Sequence, residues 1–291
     1  MPYNAGKKGK LNQPATTANS KSAQGYYGVK DTFLYGKANE YPGLGITNGI
    51  EITSVSDIPS LGSGLGSSSS FTVALVHALY TYKGEIISKE KLASLSSHIE
   101  IDLCGDKIGY QDQFAAAYGG LNLIEFKNNN NIFVNPINCK KETIKKIEES
   151  IILFYTGRTR KASVILHEQS KNMKNTLKIE MMEKMVSFAY DMKNQIEENN
   201  IDFFGEFLAK NWLLKRQMTK YIADSQIDDW YNKGIKAGAL GGKLLGAGNG
   251  GFMMFFAPKE KHEKIINALK DLRKVPFSFD KNGSEIIFQN N

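Results

Sequence analysis

The chain has 291 residues, of which 41% are hydrophobic and 23% charged, as in globular proteins with a substantial core. No apolar run approaches the roughly 20 residues that span a bilayer, and the polar, lysine-bearing start of the chain lacks the apolar stretch of a secretory leader. The formal net charge is +7, but residues 1–50 hold six lysines against Asp31 and Glu40, which indicates a solvated N-terminal excess rather than a nucleic-acid surface. The cysteines, Cys104 and Cys139, have no metal-ligand or redox spacing, so we expect reduced thiols and a cytoplasmic protein.

The first half of the chain changes character near Ile50. Residues 1–25 are polar, with almost no apolar periodicity, and predict loop or disorder, while residues 26–50 carry no pattern that we can assign. The elements predicted from there are, in order, a strand over Ile50–Val55 ended by Pro59, an apolar helix over 71–84, a Ser88-capped helix to 104, a short helix over 113–118, and a hairpin of 121–126 with 132–137.

The second half mixes strands and helices. The predicted elements are, in order, a joining helix over 139–150, a strand over Ile151–Tyr155, helices over about 161–198, 203–221 and 228–237, a glycine-rich loop over Gly238–Gly251, a strand over Phe252–Phe256, a helix over 259–272, and a strand pair over 277–288. Because strands and helices do not alternate regularly, the pattern predicts an α+β fold.

A glycine- and serine-rich loop lies between the first predicted strand and the apolar helix. Its residues after Pro59 include Gly62, Ser63, Gly64, Leu65, Gly66, Ser67, Ser68, Ser69 and Ser70. Glycines let a backbone approach a ligand closely, and serines that enter a helix place its N–H groups and dipole at an anion. A flexible linker is the alternative, which the flanking strand and apolar helix argue against. The loop lacks the Walker A lysine and the Rossmann glycine register, so it predicts a phosphate site of another kind.

Two carboxylates follow this loop in positions that suit metal binding or proton transfer. Glu100 lies at the margin of an apolar helical stripe, where it either holds Mg²⁺ with a loop serine or is simply solvated. Asp112 comes after a glycine-bounded loop, where it either deprotonates a substrate hydroxyl or caps the short helix over 113–118.

A second glycine-rich run, Gly241–Gly251, precedes a predicted strand. So many glycines allow close backbone approach to a nucleotide or to the first loop, and a tight packing loop between domains is the alternative. The four histidines, His77, His98, His167 and His262, have no metal-ligand spacing.

Together these segments resemble the GHMP kinases. Pro59 followed by Gly64-Leu65-Gly66-Ser67-Ser68 is similar to the family's second motif, and Gly241–Gly251 is similar to its third motif, close to G-x-K-x-x-G-A-G-x-G-G. The pair Asp112-Gln113 matches an Asp-Gln pair of the family. Residues 56–79, 109–126 and 154–163 resemble the heptose-phosphate kinases of bacterial surface-sugar synthesis.

The resemblance implies a two-domain architecture with the site in the cleft between the domains. The N-terminal domain would be similar to ribosomal protein S5 domain 2, and the C-terminal domain would be ferredoxin-like. We therefore divide the chain into a poorly assigned, partly disordered or divergent segment over 1–48, an ATP-binding N-terminal domain over 49–145, and a C-terminal domain over 146–291.

The resemblance also implies cofactors and residue roles. ATP and Mg²⁺ would be the cofactors, with Asp112 as catalytic base, Ser68 and Glu100 as metal ligands, and Pro59 with Gly62–Ser70 around the nucleotide phosphates. Substrate contacts would come from Arg160, Gly246, Ala247, Gly248 and Asn249.

One departure from the family is the first motif, P-x-R-x-x-x-x-G-G-G-T-D, which has no match in residues 1–58. By resemblance, the N-terminal domain is therefore expected to be incomplete. Three hypotheses follow: ATP-dependent phosphorylation of a sugar or sugar phosphate such as a heptose 7-phosphate, a nucleotide-binding remnant without catalysis, or a nucleic-acid-binding module. Galactose and mevalonate are alternative acceptors. The first hypothesis predicts a small-molecule partner, neither nucleic acid nor membrane, and allows a homodimer.

Overall fold

The computed structural model describes residues 46, 50, 52–56, 64–127, 131–158, 165–166, 168–169, 172 and 175–289. Within these ranges, no helix is both long enough and apolar enough to cross a bilayer. The unassigned start of the chain, residues 1–45, lies outside them.

Among the residues that the structure describes, three helices enclose the core of the N-terminal half. They are α1 (Ser67–Tyr82), α2 (Lys89–His98) and α3 (Gln111–Tyr118). The Ser88 hydroxyl accepts the Lys91 N–H and caps α2, as the sequence predicts. A π-helical turn, Ile99–Leu103, continues α2. The buried apolar side chains that pack between the helices include Val73, Val76, Leu92, Ile99 and Phe114.

A short antiparallel hairpin covers part of this core. Its strands are β1 (Asn122–Phe126) and β2 (Ile132–Pro136), with Ile124 opposite Val134, so the predicted hairpin is confirmed. The strand predicted over Ile50–Val55 is wrong where the structure describes it, because Ile50 and residues 52–56 pair with no strand. The Val55 side chain is 90% exposed, since no described strand lies beside it.

The C-terminal half is built on a four-stranded antiparallel sheet. Its strands are β3 (Ile151–Tyr155), β4 (Gly241–Leu244), β5 (Phe252–Phe256) and β6 (Arg273–Val275), in the spatial order β4-β5-β3-β6. Together with helices in the connections from β3 to β4 and from β5 to β6, this order gives the predicted ferredoxin-like topology.

Within the described ranges, five helices with defined bounds accompany this sheet. They are α4 (Lys141–Ser150), α5 (Thr176–Glu197), α6 (Phe204–Lys215), α7 (Ser225–Lys236) and α8 (His262–Ala268), the last preceded by a 3-10 turn, Lys259–Lys261. Phe204 of α6 packs on Phe256, while Gly234 of α7 lies against Phe255. Successive residues of a strand face opposite ways, so α6 and α7 lie on opposite faces of β5.

Several of the predicted elements differ from the structure. Within the helix predicted over 161–198, helix α5 begins at Thr176. The Asn175 side chain caps α5 by accepting the Leu177 N–H. Part of the predicted loop Gly238–Gly251 is strand β4. Because Gly241 has no side chain, this strand packs closely against Gly205 of α6. The predicted strand pair over 277–288 is absent, and those residues instead return to the N-terminal half.

Contacts of the returning segment join the end of the chain to α1, to α2 and to the residue pair that follows α3. The Gly120 N–H, just after α3, donates to the Asp280 carbonyl at 2.7 Å. Lys89 of α2 donates to the Asn282 carbonyl at 2.7 Å. His77 of α1 lies 2.9 Å from the Ser284 hydroxyl. The two halves are thus connected by the chain at two places.

Candidate active site

The predicted phosphate loop ends on α1 with two glycines in left-handed backbone conformations. Gly64 has φ 79° and Gly66 has φ 67°, with Leu65 between them. L-residues adopt this conformation only with strain, so both positions favour glycine. Gly66 caps α1, the first turn of the helix carries no acidic residue, and the positive end of the helix dipole lies there. Pro59, Gly62 and Ser63 lie outside the described residues.

Glu100 lies at the centre of a hydrogen-bonded cluster under this loop. Oε1 accepts from the Ser68 hydroxyl at 2.7 Å and from the Thr72 hydroxyl at 3.1 Å. Oε2 accepts from the Ser69 hydroxyl at 2.7 Å and from the Gln113 amide at 2.5 Å. Ser69, Thr72, Glu100 and Gln113 are all buried, while Ser68 is partly exposed.

The burial of Glu100 excludes one of its two predicted settings. Its side chain has no exposed surface, so the solvated-glutamate alternative is wrong. The π-helical turn Ile99–Leu103 carries this carboxylate towards the start of α1. Ser68 and Glu100, which the sequence pairs as metal ligands, are therefore in direct contact.

Asp112 lies against the other side of the loop. A Cβ atom built on Gly66 would be 3.3 Å from both Cβ and Cγ of Asp112. The helix begins at Gln111 with Tyr110 in the capping position, so the alternative role of Asp112 as a helix cap is wrong. The carboxyl Oδ1 accepts from the Gln111 amide at 3.2 Å.

The surroundings of Asp112 act on its pKa in both directions. Burial raises the pKa of the carboxyl above its usual range, and the charge of Glu100 raises it further. The hydrogen bond from Gln111 and the positive charge of Lys215 lower it. A carboxylate with a raised pKa is a stronger proton acceptor than a solvated aspartate.

The second glycine-rich run meets the first loop across the cleft. A Cβ atom on Gly64 would be 2.7 Å from the Leu245 carbonyl oxygen, so the two loops are in contact as the sequence anticipates. The next residue, Gly246, has its carbonyl bound by the Lys215 ammonium at 2.5 Å. Ala247 packs against the core of the C-terminal half.

The remaining residues of this run are anchored within the C-terminal half. Asn249 has φ 59°, and its N–H donates to the Ile222 carbonyl at 2.7 Å. The Arg158 guanidinium donates to Asn249 Oδ1 at 3.2 Å and to Asp224 Oδ2 at 2.7 Å. A Cβ on Gly248 would lie 2.6 Å from the Ile222 Cα. Arg160 lies outside the described residues, so its predicted substrate role stays a prediction.

Two lysines of the site were not predicted from the sequence. Lys215, in the last turn of α6, binds Gly246 and acts on the pKa of Asp112. Lys243, on β4, has its ammonium 3.4 Å from Asn211 Oδ1, and burial lowers the pKa of this ammonium. Lys243 is the lysine of the third motif, and this motif was the only feature of the sequence that pointed to it. No sequence pattern predicts that the C-terminal end of α6 lies near Asp112.

Fold and site geometry together define a two-domain protein with a glycine- and serine-rich loop and a carboxylate at the domain interface. Residues 29–120 match the family model for the GHMP kinases N terminal domain, and residues 192–274 match the model for GHMP kinases C terminal. The first match includes residues 29–48, which our sequence patterns left unassigned. The chain belongs to the GHMP kinase family, and the predicted family membership is confirmed.

Three relatives illustrate where the chain lies within this family. It is 33% identical to D-glycero-alpha-D-manno-heptose 7-phosphate kinase of Campylobacter jejuni, over 78% of this chain and 68% of the relative. It is 28% identical to mevalonate kinase of Pyrococcus horikoshii, over 78% and 65%. The crystal structure of a D-glycero-D-manno-heptose 1-phosphate kinase from Bacteroides thetaiotaomicron superposes with a TM-score of 0.62 at 28% identity, over 78% of this chain and 64% of that one. The chain thus spans about two thirds of the length of these relatives.

Proposed function

We propose that this chain transfers the γ-phosphoryl group of ATP to a hydroxyl of a sugar or sugar phosphate, with a heptose 7-phosphate-like acceptor. The observation that carries the proposal is the contact of Asp112 with Gly66, at the end of α1 where phosphates would bind. A carboxylate at this place is suited to accept the proton of a hydroxyl as its oxygen attacks the phosphoryl group.

The nucleotide phosphates would bind along Gly62–Ser70, next to Pro59. Two left-handed glycines keep side chains out of the loop, and the dipole of α1 favours an anion at its N-terminus. A methyl group at Gly64 would collide with Leu245, so the loop is also matched to the glycine-rich run across the cleft.

Ser68 and Glu100 fit a magnesium ion by their donor chemistry. Both present oxygen atoms, which this hard cation prefers, and the hydroxyl and carboxylate oxygens are 2.7 Å apart. Ser69 and Gln113 hold the other carboxylate oxygen in place. Mg²⁺ bound here would supply positive charge for the phosphoryl oxygens.

Asp112 and Lys215 would act together on the acceptor. Partial burial raises the pKa of the Asp112 carboxyl, so that the ionised carboxylate readily takes the hydroxyl proton. Lys215 places a positive charge beside the same carboxyl. The segment Gly246–Asn249 and Arg160 would contact the acceptor.

The identity of the acceptor is proposed from relatives. The name of the Campylobacter relative supports a heptose 7-phosphate, and that of the Pyrococcus relative keeps mevalonate as an alternative. Galactose is a further alternative. A cytoplasmic location belongs to the same proposal, and the proposal allows a homodimer.

The test is a kinase assay with a matched pair of carboxylate variants. Wild-type protein is given Mg-ATP with heptose 7-phosphate, galactose or mevalonate, and ADP release is measured. Asp112→Asn is expected to lower kcat by about 100-fold to 10,000-fold. Asp191→Asn, an exposed carboxylate on α5, serves as the control and is expected to retain wild-type activity.

Two outcomes would contradict parts of this proposal. Full activity of Asp112→Asn would exclude this residue as the base. Wild-type protein that binds a non-hydrolysable ATP analogue but phosphorylates none of the three acceptors would favour a nucleotide-binding remnant. Because a raised pKa means that the ionised Asp112 disfavours the fold, Asp112→Asn should unfold at the same temperature as wild type or higher. A loss of activity with unchanged or higher stability cannot come from unfolding.

A further inference from the structure

Helix α6 and strand β4 lie side by side over matched lengths. Near their starts, a Cβ atom on Gly241 would lie 1.8 Å from the Gly205 carbonyl oxygen, so the two backbones are in close contact. From Gly205 to Lys215 the helix advances by about 15 Å. From Gly241 to Gly246 an extended chain advances by about 16 Å. Lys215 therefore comes to lie beside Gly246, whose carbonyl accepts from the Lys215 ammonium at 2.5 Å.

Gly246 is also a point at which the second glycine-rich run meets the first loop. A Cβ atom on Gly64 would be 3.4 Å from the Gly246 Cα. Two residues farther along the first loop, Gly66 lies against the Asp112 side chain. Lys215 thus carries a positive charge from the C-terminal half to the place where the loop and the proposed base of the N-terminal half come together.

The charges at this place favour a cation. Asp112 and Glu100 both bring carboxylates, and nucleotide phosphates along the loop would add further negative charge. Lys215 supplies positive charge here, since it lowers the pKa of the Asp112 carboxyl, which burial and Glu100 raise. The Gly246 carbonyl is a neutral acceptor, so it orients the ammonium without cancelling its charge. An ammonium oriented in this way can bind phosphate oxygens as a point charge.

We propose that Lys215 also donates to the γ-phosphoryl oxygens of the nucleotide while that group passes to the acceptor. The inference rests on the proposed function. In the transfer, the acceptor oxygen bonds to the γ phosphorus, the bond to the bridging oxygen breaks, and its electron pair leaves with ADP. The hydroxyl proton goes to Asp112, while Lys215 keeps its own protons and offsets the negative charge on the phosphoryl oxygens. The reacting site then needs both halves of the chain, with the cation supplied across the cleft.

The first test measures nucleotide binding and does not depend on catalysis. Calorimetry with Mg²⁺ compares a non-hydrolysable ATP analogue with ADP, which lacks the γ-phosphoryl group. We expect Lys215→Met to bind the analogue about 10-fold to 100-fold more weakly than wild type and ADP within about 3-fold, as for loss of one hydrogen-bonded charge. Lys215→Arg keeps the charge and should recover most of the affinity for the analogue. Lys210→Met, an exposed lysine of α6 paired with Glu206, is the matched control and should bind both nucleotides as wild type does.

Two results of this comparison would overturn the inference. An equal loss of affinity for ADP and for the analogue would show that Lys215 acts by holding Gly246 in place or by contact with the other phosphates. Unchanged affinity for both would show that Lys215 does not reach the nucleotide. The unfolding midpoint of each variant is measured, and Lys215→Gln replaces Lys215→Met if the latter does not fold.

The second test separates a role in phosphoryl transfer from a role in acceptor binding. With whichever of heptose 7-phosphate, galactose and mevalonate is phosphorylated, Lys215→Met should lower kcat by about 100-fold to 1,000-fold and leave the acceptor KM near the wild-type value. A higher acceptor KM with unchanged kcat would assign Lys215 to the acceptor and overturn the inference. If wild type phosphorylates none of the three, the proposed function fails, while the comparison of the analogue with ADP still decides the inference.

Discussion

The buried carboxylate of Glu100 gives a prediction that separates its structural role from a metal-binding role. In Glu100→Gln, one acceptor oxygen becomes an NH₂ group, which can be turned towards the Ser68 and Thr72 hydroxyls if these rotate to accept from it. The four hydrogen bonds to the carboxylate then become neutral ones.

The size of the effect follows from these bonds. A hydrogen bond to a charged group contributes about 1.5–3 kcal/mol and a neutral one about 0.5–1.5 kcal/mol, so each of the four weakens by about 1–1.5 kcal/mol, and removal of the buried charge offsets part of this loss. We therefore expect Glu100→Gln to lower the free energy of unfolding by about 3 kcal/mol without any metal. That is a large share of the roughly 5–15 kcal/mol that stabilises a typical domain.

The assay is urea denaturation in the presence of EDTA, followed by circular dichroism. Glu90→Gln is the matched control, because Glu90 is exposed in the first turn of the same helical segment, and its change should stay below about 1 kcal/mol. Thr72→Val removes a single donor and is expected to cost about 1 kcal/mol, so it gives an intermediate value if Glu100→Gln does not fold. A Glu100→Gln protein as stable as Glu90→Gln would refute the reasoning, since the cluster would then contribute nothing to folding.

Three further predictions concern the site and its supports. Because Asp112 must be ionised to act as a base and its pKa is raised, kcat/KM should fall with decreasing pH at a higher pH than for an ordinary aspartate, and a pH–rate profile with an acid limb near pH 4 would contradict this. Gly64→Ala places a methyl group 2.7 Å from the Leu245 carbonyl at φ 79°, so a non-hydrolysable ATP analogue should bind at least about 10-fold more weakly. Unchanged affinity in calorimetry would show that the loops need not touch. Arg158→Ala breaks a partly exposed pair with Asp224, so its effect on unfolding should be no more than about 1 kcal/mol, and a loss of several kcal/mol by urea denaturation would show a larger role.

The elements with strong local signals were predicted from the sequence. The apolar run after Ser70 forms α1, and Ser88 caps α2, because both depend on neighbouring residues alone. The strand over Ile50–Val55 and the pair over 277–288 were wrong for a common reason. An alternating pattern becomes a strand only when a partner lies beside it, which local sequence does not determine.

The sequence predicted three residues that the structure brings together in the candidate site, but it did not predict how deeply Glu100 is buried. Ser68, Glu100 and Asp112 were named from motifs, and the structure brings all three to the start of α1. The complete burial of Glu100 depends on a π-helical turn, for which the sequence carries no pattern that we know. Lys215 could not be found, because it reaches Asp112 only through the packing of α6 across the domain interface.

The return of the chain end to the N-terminal half has a consequence for motion. One crossing between the halves runs through α4 into β3, and the other runs from β6 to Asp280. The Tyr190 hydroxyl of α5 also donates to Glu125 of β1, which adds a third connection between the halves. Cleft opening that separates Gly64 from Leu245 would therefore hinge along these connections, of which the Asp280–Ser284 segment is one. Cutting the chain after Val275 would remove the covalent part of that connection and leave both glycine loops in place.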